Sequence, residues 1–231
     1  MERLFASHPG WRRVYVDLPG FGASPGSELI RGSDDVLDVV LALLDEVAGG
    51  APALLVGQSW GAYLAHAAAT LRPDAVAGLA MLCPLTVAEH DRRDVPPHPD
   101  VALAAGVGDG ADPADVQEFR DIAVVPDEAH WQFFRESVLP GLRAADPAAV
   151  ARIEEHYALT SRPDLEPYPG PTLIVTGRQD AIVGYRDAER LADTLPQATF
   201  AVLDNAGHHA HVERETLVAA LLSDWLRRVS A

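Results

Sequence analysis

Along the chain, short apolar runs alternate with stretches whose apolar residues recur every three or four positions. That alternation predicts parallel strands joined by helices, an α/β fold with a mostly parallel sheet and flanking helices. Arg13–Asp17 reads as a buried strand, and Leu18-Pro19-Gly20-Phe21-Gly22 forces a turn after it. Val36, Val40, Leu43, Leu44 and Val47 mark one face of a helix running to about Ala48, with Ser33 or Asp34 as its cap and Gly49-Gly50 as its stop. Ala53–Val56 is the next strand, Ala62–Thr70 an Ala-rich helix ending before Pro73, and Val76–Leu82 a third strand.

The pattern changes over residues 86–165, which are Pro-rich and charged, with helical segments and no convincing strand. Asp112-Pro113 and Asp146-Pro147 read as helix starts, with Pro in the first turn. This block is expected to be an inserted helical cap, so that 1–85 and 166–231 form the core. Strand character returns at Pro171–Thr176. A helix over Arg186–Leu195, a strand over Thr199–Leu203 and a last helix over Glu213–Val229 complete the chain.

Composition narrows the function classes. All 18 basic residues of the 231 are Arg, as in a GC-rich genome, and the formal net charge is −16. That field disfavours nucleic acid and anionic membrane as partners, because phosphate contacts need clustered cations. No apolar run is long enough to span a bilayer, and the N-terminus lacks the apolar core of a signal peptide, so a cytoplasmic location is expected. The single Cys83 follows an apolar run and reads as a buried structural thiol.

The chemistry centres on Gly57-Gln58-Ser59-Trp60-Gly61, with a strand before it and an Ala-rich helix after it. A nucleophile on so sharp a turn leaves little room two residues to either side, which accounts for the glycines. The turn sets the Ser59 hydroxyl at the carboxyl end of a strand and the positive end of a helix. A serine needs a base, and the base needs a carboxylate to orient it. Asp180 follows the strand at Pro171–Thr176, and His208 follows the final strand. Both are therefore expected on the rim where Ser59 emerges. Asp204 is an alternative acid. His209 and His211 beside His208 raise a metal site, but their spacing fits no common motif with a clear carboxylate partner. His66 falls on the helix after the elbow and reads as packed or solvated. Trp131, Phe133, Phe134 and His130 form an aromatic cluster that either packs the cap or lines a substrate pocket, with Trp131 and Phe134 the pocket candidates.

The Asp17–Ser24 segment, the Gly57–Gly61 elbow, the Gly177–Asp180 loop and Gly207-His208 together resemble the α/β-hydrolase superfamily. The resemblance implies Ser59 as nucleophile, His208 as general base, Asp180 as the group orienting the imidazole, and the backbone N–H of Trp60 as an oxyanion donor. It implies a hydrolase of small esters or amides that acts on a small-molecule substrate with no cofactor and no metal. In the family, further strands and an oxyanion loop precede the Asp-Leu-Pro-Gly-Phe-Gly segment, which here begins at residue 17. The expectation is therefore a fragment of a longer protein, with Met1–Phe5 inside a helix. The sheet would either carry a gap between the Val14–Asp17 strand and the elbow strand or pair those two directly. Loss of the loop's oxyanion donor makes a weakly active or non-catalytic binding protein the competing expectation.

Overall fold

The computed structural model describes residues 1–160 and 167–230. Four strands, β1 (Ala53–Gln58), β2 (Val76–Leu82), β3 (Thr172–Gly177) and β4 (Ala198–Leu203), form one parallel sheet in the order β1-β2-β3-β4. Helix α1 (Ser33–Ala48) precedes β1, and α2 (Trp60–Leu71) joins β1 to β2. Helix α7 (Arg186–Ala192) lies between β3 and β4, and α8 (Ala210–Glu213) and α9 (Glu215–Val229) follow β4. Between β2 and β3 lie α3 (Pro113–Ile122), α4 (Glu128–Phe133), a π-type turn over Phe134–Val138, α5 (Leu139–Ala144) and α6 (Pro147–Glu155).

The period of two along each strand sends alternate side chains to opposite faces. Leu79, Met81 and Ile174 face a layer built from Leu44, Ala62, Ala65, Ala69, Ala188 and Leu195. Ala80, Leu82, Leu173 and Val175 face Val218, Leu222, Trp225 and the N-terminal pair Leu4 and Phe5. Because both faces are covered, β2 and β3 are almost wholly buried, as inner strands of a parallel sheet are. At Met1–Phe5 a single 3₁₀ turn, Glu2–Phe5, drops Leu4 and Phe5 onto α9.

The stretch read as a buried strand, Arg13–Asp17, forms no strand. Val14, Tyr15 and Val16 are 48%, 56% and 46% exposed. A strand needs a neighbour, and among the described residues none is in reach: a trough of about 570 Å³ separates this stretch from β1 and is lined by Val14, Val16, Leu18, Leu43, Leu54 and Val56. The direct pairing of the two does not occur, and the open gap does. Side chains hold the stretch instead, with Arg13 Nη2 and Tyr15 Oη both donating to the Glu2 carboxylate, at 2.8 and 2.5 Å.

Two helix ends differ from the sequence pattern. The cap of α1 is Gly32, and no side chain caps it. Ser33 is fully buried, donates to Tyr157 O at 2.8 Å and accepts from Trp60 Nε1 at 3.0 Å, so tertiary contacts claim the hydroxyl that a cap would have used. The last helix breaks at Arg214, whose backbone leaves the helical region, because Arg214 Nη1 turns back to Asp204 O and Glu213 to Gly207 N. Asp112 and Asp146 cap α3 and α6 as their Asp-Pro starts require, accepting from Ala114 N and from Ala148 and Ala149 N.

Candidate active site

Ser59 sits between β1 and α2 with φ 54° and ψ −123°, a conformation that costs a non-glycine residue on the order of 1–3 kcal/mol. Surrounding bonds fix it there. Its N–H donates to Leu82 O at 3.0 Å, and its carbonyl accepts from Ala62, Tyr63 and Leu85 N at 3.0 to 3.1 Å. Gly57 is sterically required, since a Cβ there would lie 2.4 Å from Gly61 O and 2.6 Å from Ala62 Cα. Gly61 is not: a Cβ there meets nothing within 4 Å. The glycine requirement of the elbow is thus one-sided, because the chain closes on residue 57 while residue 61 faces open space. Trp60 begins α2, and the first N–H groups of a helix have no partner within it, so the Trp60 N–H is free to serve an oxygen at the turn.

Asp180 lies just beyond β3, completely buried. Its Oδ1 accepts from Ile182 and Val183 N at 2.9 and 3.1 Å, and its Oδ2 meets His208 Nδ1 at 3.0 Å. The two inner-facing bonds fix the carboxylate plane, and the third assigns Nδ1 of the imidazole to Asp180, leaving Nε2 for a proton on the open side. The tight approach of the two loops explains Gly177, where a Cβ would lie 2.3 Å from Gly207 O. Cys83, one residue past the Leu82 carbonyl that holds Ser59, donates Sγ–H to Gly207 O at 3.5 Å. Ser59, Asp180 and His208 therefore meet on one rim, at the carboxyl ends of β1, β3 and β4. Among the described residues no hydrogen bond joins Ser59 Oγ to His208, a contact that often closes only around substrate.

The alternatives separate on geometry. Asp204 points outward, its side chain 73% exposed, near Arg178 and bonded to Gln179 Nε2 at 2.8 Å, so it does not orient His208. His209 and His211 continue a chain of rings from His208, tilted at 6.2 Å between the first two centroids and edge-to-face at 5.9 Å between the next, and His211 meets Phe133 edge-on. Burial lowers the His209 pKa to about 4 and that of His211 to about 3, with the neighbouring imidazoles adding to the effect, so both are neutral near pH 7. His211 Nδ1 is buried without a partner. His66 is buried on α2. Ligand-type atoms of Cys83, Asp180 and His208 lie within 4.8 Å of one another. Burial raises the Cys83 thiol well above its ordinary pKa, the Asp180 charge adds to this, and a protonated thiol is a poor metal ligand.

Trp131 and Phe134, the pocket candidates, are 3% and 1% exposed and pack on each other and on Phe119, with ring centroids 5.3 to 5.9 Å apart. They join Val107, Ala123 and Leu139 in a core internal to the helical block. Rings at the elbow come from elsewhere: Trp60 lies 5.9 Å from both Phe21 and Tyr157. Sequence reasoning also passed over Gln58 and Glu213. Gln58 Nε2 donates to His208 O at 3.1 Å, and Glu213 accepts from Gly207 N at 2.6 Å. The signal available was position alone: one residue before the serine, and five after the histidine.

A strained serine on an elbow after β1, a buried aspartate beyond β3 and a histidine beyond β4 define an α/β-hydrolase arrangement, and the comparisons agree. Residues 1–221 match the model of the alpha/beta hydrolase family, so the chain belongs to that family. The chain is similar to the dihydrolipoyllysine-residue acetyltransferase component of the acetoin cleaving system of Pseudomonas putida, 30% identical over 220 residues, and spans 94% of itself but only 56% of that protein's length. It is 29% identical over 245 residues to the pimeloyl-[acyl-carrier protein] methyl ester esterase of Neisseria meningitidis serogroup C, covering 99% of this chain and 87% of that one. The crystal structure of an alpha/beta superfamily hydrolase from Oenococcus oeni PSU-1 superposes with a TM-score of 0.87 at 25% identity, over 94% of this chain and 81% of that one.

Proposed function

We propose that the chain is a serine hydrolase that cleaves a small ester through an acyl-enzyme. The observation that carries this reading is the buried Asp180 carboxylate, 3.0 Å from His208 Nδ1, on the rim where the strained Ser59 emerges. Ser59 Oγ attacks the carbonyl carbon while His208 Nε2 takes its proton. The oxyanion faces the Trp60 N–H at the start of α2. His208 then protonates the departing alcohol, and the same base draws a proton from water to release the acid. Asp180 holds the imidazole in the tautomer this sequence needs. The helical block between β2 and β3 acts as a cap, and similarity to a methyl ester esterase supports an ester over an amide.

The trough beside β1 favours a second reading, a weakly active or purely binding protein, because the rim on that side of the elbow is open. A labelled fluorophosphonate separates the two. The hydrolase reading expects an adduct on Ser59 of the folded chain, lost in Ser59→Ala together with p-nitrophenyl acetate turnover. No adduct and no turnover above background decide for the binding reading, and turnover unchanged by Ser59→Ala rules out Ser59 as the nucleophile. A panel of acyl-chain lengths, with a vinylogous diketone as a C–C substrate, then fixes the class of bond.

A further inference from the structure

The loop before His208 and the chain after α3 share one acceptor. Glu213, held in place by the short turn α8, accepts from Gly207 N at 2.6 Å through Oε2 and from Val124 and Val125 N at 2.6 and 3.0 Å through Oε1. The two stretches also touch directly: a Cβ at Gly207 would lie 2.7 Å from Val124 Cγ2 and 3.3 Å from Ile122 O. Ala123 and Val124 are 3% and 7% exposed, so this is a sealed seam. Three N–H donors converge on two oxygens, a demand that an ionised carboxylate meets and a carboxamide does not, since its NH₂ would face one of the N–H groups.

We propose that Glu213 is a positioning residue that couples the helical cap to the catalytic base. One carboxylate holds Val124 and Val125 of the cap and the N–H of Gly207, the residue before His208, so the imidazole takes its working position only when the cap segment is seated. Gln58 fixes the carbonyl of His208 and Asp180 its ring; Glu213 is the contact that makes both depend on the cap. This rests on the reading of His208 as the base.

The test uses the full ¹⁵N-labelled chain and three variants, Glu213→Gln, Glu213→Ala and Val124→Ala. Amide exchange is read at Val124, Val125 and Gly207, the imidazole nitrogens of His208 are followed by NMR, and the rate of fluorophosphonate labelling is measured. Glu213→Gln is expected to raise exchange at Gly207 at least tenfold, to broaden the His208 signals, and to lower kcat for p-nitrophenyl acetate about tenfold with little change in KM. Val124→Ala, which leaves Glu213 in place and only loosens the cap side, is expected to raise exchange at Gly207 and to slow labelling, less than Glu213→Gln does. Exchange rising at Val124 and Val125 while Gly207, His208 and labelling stay at wild-type values overturns the coupling. So does a Val124→Ala protein with an unaltered Gly207. If Glu213→Ala does not fold, the other two variants carry the decision. A wild-type chain that fails to label at all defeats the hydrolase reading, and the exchange data still decide whether the seam is coupled.

Discussion

Replacing Asp180 with Asn tests the site most sharply, because its geometry dictates which way the amide must turn. Oδ1 accepts from two backbone N–H groups, Ile182 and Val183, inside a fully buried position. An Asn keeps its oxygen there, since turning the NH₂ inward would set donor against two donors. The NH₂ then faces His208 Nδ1 and donates to it. Nδ1 becomes an acceptor, the proton moves to Nε2, and the nitrogen that should take the Ser59 proton is already protonated. Inverting the tautomer in this way lowers kcat about 10⁴-fold, close to 5 kcal/mol of transition-state stabilisation. Losing one charge-assisted bond costs the fold only about 1.5–3 kcal/mol. The assay is p-nitrophenyl acetate turnover and fluorophosphonate labelling, with circular dichroism to confirm a folded variant. A folded Asp180→Asn protein within tenfold of wild type, or a larger loss in Asp204→Asn, refutes the assignment of the acid.

Other expectations follow from the same contacts. Gly57→Ala drives a methyl to 2.4 Å from Gly61 O and is expected to cost about 3 kcal/mol or more by thermal or urea unfolding, whereas Gly61→Ala, with open space and a better helix former, stays within about 1 kcal/mol of wild type. His209 and His211 are neutral in the folded chain at pH values where the unfolded chain protonates them. Stability is therefore full above about pH 6.5 and falls as pH drops toward about 4 and then 3, with a slope from the pair of up to about 2.7 kcal/mol per pH unit. His211→Gln should remove about half of that slope in pH-dependent unfolding, and an unchanged slope contradicts the burial account. Trp131→Ala opens the internal core of the helical block and is expected to cost about 3–5 kcal/mol while leaving KM for a small ester unchanged; a selective rise in KM with intact stability would return Trp131 to the pocket.

The features legible in the sequence are those fixed by local chemistry or by strand ends. Val76–Leu82 reads as a strand to the residue, because its apolar run has no competing period and both faces are covered. The two Asp-Pro starts carry their own caps. Ser59, Asp180 and His208 could be gathered because each lies in the loop or turn after a strand, and parallel strands deliver their ends to one rim. What failed depends on distant partners. Arg13–Asp17 has strand composition but no strand in reach to pair with. Ser33 has a cap's chemistry, but Tyr157 and Trp60 engage it. Trp131 and Phe134 are a different case: the sequence leaves core and pocket both open, and the fold packs them on Phe119, brought in by α3. The Glu213 seam lay beyond reach, because nothing local in Val124 and Val125 says that their amides meet a carboxylate 89 and 88 residues away.

The trough beside β1 also bears on how the chain behaves in concentrated solution. Among the described residues β1 bonds to a strand on one side only, and Val14, Tyr15 and Val16 stand exposed across the gap. An unpaired edge bordered by apolar side chains is a template for another extended chain. What opposes such meetings is the charge of −16, a long-range repulsion that works over about 10 Å at 0.1 M salt and about 3 Å at 1 M. For these 231 residues salt is therefore expected to raise self-association, by bringing the bare edges within reach of each other, and light scattering across a salt series would read it.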